Sequence, residues 1–99
     1  MMYKLHQLRI PDDIAALVRG MHPHLTKKIK GSLHTIMAEP HSGKPLKEEL
    51  AGLRSFQVSR LRIVYGVSKE QQIEVVAIGP REQIYDETYR IIAREEKKG

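Results

Sequence analysis

Leu53-Arg54-Ser55-Phe56-Gln57-Val58-Ser59-Arg60-Leu61-Arg62-Ile63-Val64-Tyr65-Gly66-Val67-Ser68 is the stretch that decides the fold. Side chains on a strand alternate between two faces. Over Arg60 to Ser68 that rule sends Leu61, Ile63, Tyr65 and Val67 one way and Arg60, Arg62, Val64 and Gly66 the other. Over Leu53 to Val58, Phe56 and Val58 read as core, which leaves Ser55, Gln57 and the adjoining Ser59 on the opposite face. The gap between the two segments is too short for anything but a hairpin. A third segment, Ile73 to Gly79, is apolar on both faces and reads as the central strand of an antiparallel meander.

Outward from the meander the pattern becomes helical. Asp86 to Lys97 reads as a last helix with a weak stripe of Tyr89, Ile92 and Ala93, and with Lys97 and Lys98 at its negative end. Upstream, His41 to Gly52 holds Gly43, Pro45 and Gly52 and reads as a loop, with at most one helical turn over Lys47 to Leu50. Before it, Leu25, Ile29, Leu33, Ile36 and Met37 form the stripe of a helix from Pro23 that stops before Pro40, with Lys27, Lys28 and Lys30 on or beside its wet face. Pro11-Asp12-Asp13 starts an earlier helix, with Ile10, Ile14, Leu17, Val18 and Met21 at helical spacing and Gly20 at its stop. Ile14, Leu17 and Val18 are expected in the core. Tyr3 to Ile10 alternates and reads as the first strand. The order β-α-α-β-β-β-α predicts an α+β domain spanning 1–99. Its four-stranded, mainly antiparallel sheet is covered on one face by a helical hairpin and more open on the other.

Composition narrows the function classes. Ninety-nine residues fit one core, and 40% hydrophobic with 29% charged residues is ordinary for a globular chain. No apolar run is long enough to span a membrane, the start lacks the apolar stretch of a signal peptide, and there is no cysteine. A cytoplasmic location without membrane contact is expected. The net charge of +5 suits either simple solubility or a polyanionic partner. Its distribution is more telling. Between Glu49 and Glu70 there is no acid, yet Arg54, Arg60, Arg62 and Lys69 fall there.

The candidate site follows from the alternation. If the apolar set of the second meander strand faces the helices, Arg62 projects from the open face beside Gln57. Arg81 and Tyr85, directly after the central strand, curl over the same surface. Such a face would cradle a nucleic-acid backbone. The alternative for Arg62 is a weak cross-strand pair with an acid such as Glu74. Arg81 is equally readable as an exposed turn residue and Tyr85 as a core aromatic with its hydroxyl at the rim. Tyr65 belongs to the core. Other chemistries find no support. The five histidines lack metal-ligand spacing, no glycine-rich phosphate loop occurs, and Ser32, Ser42 and Ser68 sit in no nucleophile-elbow context.

The run Leu46-Lys47-Glu48-Glu49-Leu50-Ala51-Gly52-Leu53-Arg54-Ser55-Phe56-Gln57-Val58, followed by Arg60-Leu61-Arg62-Ile63-Val64-Tyr65 and by Ala77-Ile78-Gly79-Pro80-Arg81-Glu82-Gln83-Ile84-Tyr85, resembles the RelE/ParE superfamily of small basic toxins. Pro40-His41-Ser42-Gly43 fits the loop closing that family's helical hairpin. The resemblance covers nearly the whole chain, and its fold agrees with the order of elements read above. It implies the toxin of a type II toxin–antitoxin system with a cognate antitoxin partner, whose helical segment would lie across the hairpin or the open face. RelE-like members are mRNA interferases that act in the ribosomal A site. There the 2′-hydroxyl attacks the adjacent phosphate, giving a cyclic phosphate and a 5′-hydroxyl without metal or cofactor.

By that analogy Arg62 contacts the scissile phosphate, Arg81 stabilises charge, and Tyr85 stacks on a base or assists proton transfer. Arg54, Gln57 and Arg60 would bind substrate. The chain departs from the family in carrying Gln57 and Ser59 where lysines are frequent, Pro80 at a frequent histidine position, and Ile84 where a histidine often precedes the tyrosine. Glu82, Glu49 and Tyr85 are left as candidates for the base. A ParE-like toxin, which binds DNA gyrase and performs no chemistry, keeps both arginines. Tyr85, four residues after Arg81, and the short hairpin lean toward RelE.

Overall fold

The computed structural model describes residues 7–98. Its elements run β1 (Leu8–Arg9), α1 (Asp12–Arg19), α2 (Pro23–Ala38), β2 (Lys44–Pro45), β3 (Leu53–Val58), β4 (Leu61–Val67), β5 (Ile73–Pro80) and α3 (Arg81–Lys98). Short 3-10 turns cover Pro40–Ser42 and Glu48–Leu50. The sheet has five strands in the order β1-β5-β4-β3-β2. β1 runs parallel to β5, and every other pairing is antiparallel. The fifth strand is the two-residue β2, inside the segment expected to be a loop. Of the first expected strand, residues 3–6 lie outside the described residues.

The register carries out the alternation rule. Phe56 pairs with Ile63 and Ile63 with Ile78, all on the face covered by the helical hairpin. There Ile29, Ile36, Ile63, Tyr65 and Ile73 are completely buried. Each contributes roughly 1.5–3 kcal/mol by leaving water. Between Val64 and Tyr65 the register with β5 slips by one residue, from Val64↔Ala77 to Tyr65↔Val75. The bulge at Val76 lets Val75 and Ile78, three apart in sequence, both reach the hairpin core. It also turns Val76 and Ala77 to the other face.

That other face is not open along its length. α3 begins at Arg81, five residues before the expected start, and packs Ile84 and Ile91 against Val64, Ala77, Val76 and Leu53. Its buried stripe is Ile84, Thr88 and Ile91, whereas Tyr89 stays 53% exposed. Thr88 is buried without loss because its hydroxyl donates to the Ile84 carbonyl at 2.7 Å. Gly79 permits the close approach, since a Cβ there would stand 3.3 Å from Ile84 Cδ1. In α1, Ile14 and Val18 are core, but Leu17 is 49% exposed, because an eight-residue helix resting on α2 buries only a narrow stripe. No helix among the described residues is long and apolar enough to cross a membrane.

Candidate functional site

Beside the first turn of α3, the end of the sheet face opposite the hairpin is only partly covered, with Gln57 exposed and Arg62 half-buried. Two rows of the sheet end there. Gln57 stands opposite Arg62, which stands opposite Gly79, and one step along Ser55 faces Val64. Arg62 is therefore not paired with Glu74, which lies at the far end of β4 opposite Gly66. Its guanidinium donates instead to neutral groups, Nη1 to Ser55 Oγ at 3.4 Å and Nη2 to Gln57 Oε1 at 3.3 Å. Both contacts are long. Arg62 Nε is buried and has no partner among the described residues. A half-buried guanidinium held only by loose neutral contacts keeps its charge available to an anion.

Around it lies a cleft of about 440 Å³ lined by Gln57, Ser59, Arg60, Leu61, Arg62, Pro80, Arg81 and Glu82. Three arginines face one glutamate there. Arg60 sits in the β3–β4 turn, where Ser59 takes a left-handed φ of 57° and gives its carbonyl to Gln57 Nε2 at 3.3 Å. A non-glycine residue in that region stores backbone strain, a recurring feature of functional turns. Arg81 is the first residue of α3 and exposed. A cation at the positive end of a helix costs roughly 0.3–1 kcal/mol, so folding gains nothing electrostatically from this choice. Backbone amides of the first turn add to the same positive field.

Tyr85 sits one turn into α3 on the flank toward β3. It is half-buried, with its hydroxyl 3.5 Å from Ser55 Oγ. Ser55 itself is 2% exposed and links the phenol of α3 to the guanidinium of β4. The role of Ser55 in joining them was not anticipated; period-two alternation had placed it on this face without distinguishing it from Ser59. Arg81 lines the cleft as part of a helix rather than of a curling loop, and Tyr85 on the same helix stands beside it, joined through Ser55 to Arg62. The structure thus brings together Gln57, Arg60, Arg62, Arg81 and Tyr85, with Glu82 beside them.

Arg54 is left out. It pairs in register with Tyr65 on the hairpin side, and its Nη1 donates to the carbonyls of Gly43 at 2.7 Å and His41 at 3.1 Å. Arg54 is a clamp on the turn before β2 and not part of the cleft. Glu49 lies on the Glu48–Leu50 turn and does not line the cleft. Ile84 is fully buried, and Pro80 lies at the exposed end of β5. Among the described residues no group of three or more His, Cys, Asp or Glu is placed to hold a metal ion.

The family model described as the ParE toxin of type II toxin–antitoxin systems, parDE, matches residues 8–85. Among solved structures the chain is similar to a double-arginine mutant of the Escherichia coli toxin RelE in the free state. That match has 16% identity and a TM-score of 0.72, and covers 93% of this chain and 98% of that one. It is also similar to the RelBE2 toxin–antitoxin complex of Mycobacterium tuberculosis, with 21% identity, TM-score 0.68 and coverage of 79% and 100%. The archaeal RelE–RelB complex of Pyrococcus horikoshii OT3 matches with 16% identity, TM-score 0.66 and coverage of 79% and 97%. At these identities the likeness shows the fold. No curated protein sequence matches the chain.

Proposed function

This chain belongs to the ParE toxin family of type II toxin–antitoxin systems, and from that premise we propose that it is a ribosome-directed mRNA endonuclease that halts translation. The observation that carries this reading is the Tyr85–Ser55–Arg62 contact, which ties a phenol beside an arginine-lined cleft to a partly unsatisfied guanidinium within it. A toxin that only binds a protein needs charge or shape. Cleavage of RNA needs a cation at the phosphorus and proton-transfer groups on either side of it.

In the proposed reaction the message 2′-oxygen bonds to the adjacent phosphorus while its proton leaves to a base. The 5′-oxygen departs as the P–O bond breaks and takes up a proton, leaving a 2′,3′-cyclic phosphate and a 5′-hydroxyl. Arg62 holds the scissile phosphate, and Arg81 balances the charge that builds on the phosphorane. Tyr85 stacks on a base or transfers a proton through its hydroxyl. Glu82, of the acids considered, is the one lining the cleft, and it accepts the 2′-hydroxyl proton. Gln57 and Arg60 orient neighbouring backbone groups. Much of the rate enhancement comes from holding the message in the attacking geometry, with the ribosome supplying part of that frame.

The partner in the resting state is a cognate antitoxin, as in the M. tuberculosis and P. horikoshii complexes. A helical segment bearing acids would neutralise the arginines while burying apolar side chains. The test is primer extension on a reporter message after induction, wild type beside Arg81→Ala, with gyrase supercoiling measured in parallel. Discrete cuts within codons that vanish in the mutant support the reading. Intact message with inhibited gyrase transfers the chain to the gyrase-binding class.

A further inference from the structure

The β3 positions that face the cleft, Ser55 and Gln57, carry no charge, so the strand itself supplies no cation beside Tyr85. The sheet supplies one from the next strand out. Lys44 on the edge strand β2 stands opposite Ser55, and paired residues of adjacent strands share a face. The alternation along β2 gives the same answer independently. Leu46, two residues on, packs with Val64, Ala77 and Ile84 on the α3 side of the sheet. The Lys44 side chain is exposed and has no hydrogen-bond or ion-pair partner among the described residues. One strand spacing separates it from Ser55, the residue that touches both Tyr85 and Arg62.

The backbone presenting Lys44 is held rigidly. The Gly43 amide donates to the Tyr65 hydroxyl at 2.9 Å, and that hydroxyl donates to the Pro40 carbonyl at 2.7 Å. Arg54 closes on the Gly43 and His41 carbonyls, and Leu46 N–H donates to Leu53 O at 2.9 Å. Five hydrogen bonds made by Tyr65, Arg54 and Leu53 thus fix a two-residue strand whose outward-pointing side chain does nothing for folding.

We propose that Lys44 is a phosphate-binding residue of this site, extending the cleft across β3 to the sheet edge. It would hold a backbone phosphate one or two nucleotides from the one gripped by Arg62. Two strand spacings and two residues of rise separate the Lys44 and Arg62 backbones by about 12 Å, a gap that two long side chains narrow from both ends. Between them Tyr85 and Ser55 occupy the floor, where the intervening sugar and base lie. Lysine suits this outer position, because a mobile point charge follows a flexible backbone whereas the planar Arg62 fixes one phosphate.

The inference rests on the reading of the cleft as a polynucleotide site, and the test separates the two. The ¹⁵N-labelled chain is titrated with a hexameric single-stranded oligouridylate into the millimolar range, at several salt concentrations. Expected are amide shifts at Lys44 and Ser55 together with Arg62 and Arg81. Lys44→Ala should weaken binding several-fold and flatten the log–log salt slope by about 0.7. Lys44→Arg should restore both, and Lys47→Ala should bind as wild type. Shifts at Arg62 and Arg81 with none at Lys44, or unchanged affinity and slope in Lys44→Ala, overturn the role of Lys44 and leave the cleft intact. No shifts anywhere overturn both. The thermal transition of each variant reports whether it folds, and the exposed position predicts that all of them do.

Discussion

The buried hydroxyl of Tyr65 accepts a hydrogen bond from the amide of Gly43, 22 residues earlier, at 2.9 Å and passes its own proton to Pro40 O at 2.7 Å. Tyr65→Phe keeps the packing and deletes both hydrogen bonds, which should cost about 1–3 kcal/mol in urea unfolding. Gly43→Ala should cost as much or more. Its Cβ would lie 2.6 Å from the Tyr65 hydroxyl, and Tyr65 is completely enclosed and cannot retreat. Equal stability of Tyr65→Phe and wild type would show that the tie does not hold β2.

Arg62 is predicted to matter for activity more than for stability. Its contacts are long, neutral and incomplete, so Arg62→Ala should shift the urea midpoint little while lowering cleavage roughly 10²–10³-fold. Arg62→Lys should not rescue, since the ammonium lacks the planar fork that spans Ser55, Gln57 and a phosphate together. Unfolding of Arg62→Ala would mark the residue as structural.

Tyr85 allows its two roles to be separated. Tyr85→Phe retains the ring and deletes the contact with Ser55, and Tyr85→Ala deletes both. If the hydroxyl moves a proton, single-turnover cleavage should fall nearly alike in the two variants. If the ring stacks on a base, only Tyr85→Ala should fall. The pH profile of wild type beside Tyr85→Phe provides a second readout.

α3 is anchored to the sheet by few residues, and Ile84 is the apolar one among them that is completely buried. Ile84→Ala should cost about 2–5 kcal/mol if the helix is part of the cooperative fold. A cost below about 1 kcal/mol, with hydrogen exchange fast along residues 81–95 and slow in β4, would show a helix that detaches from an otherwise intact sheet.

Particular residues show what was legible in the sequence. β3, β4 and β5 were readable because each runs long enough for alternation to appear, and the rule correctly put Ile63 and Tyr65 inside and Arg62 opposite. It also contained the exclusion of Arg54, which shares parity with Phe56 and Val58 and therefore the hairpin face. β2 has no readable period. Two residues, one of them proline, become a strand only through Tyr65 and the β3 edge, contacts made 7 to 25 residues away. The early start of α3 was signalled by Pro80-Arg81-Glu82, the same proline-then-acid sign that marked α1. Its buried stripe was obscured because Thr88 looks polar until its hydroxyl finds Ile84 O.

The most direct test is end-group analysis of a message programmed on purified ribosomes and incubated with this protein. The account predicts fragments ending in a 2′,3′-cyclic phosphate and a matching 5′-hydroxyl, formed in chelator as well as in its absence and lost with Arg62→Ala. A message left whole by folded wild-type protein, or fragments carrying a 5′-phosphate, would contradict it.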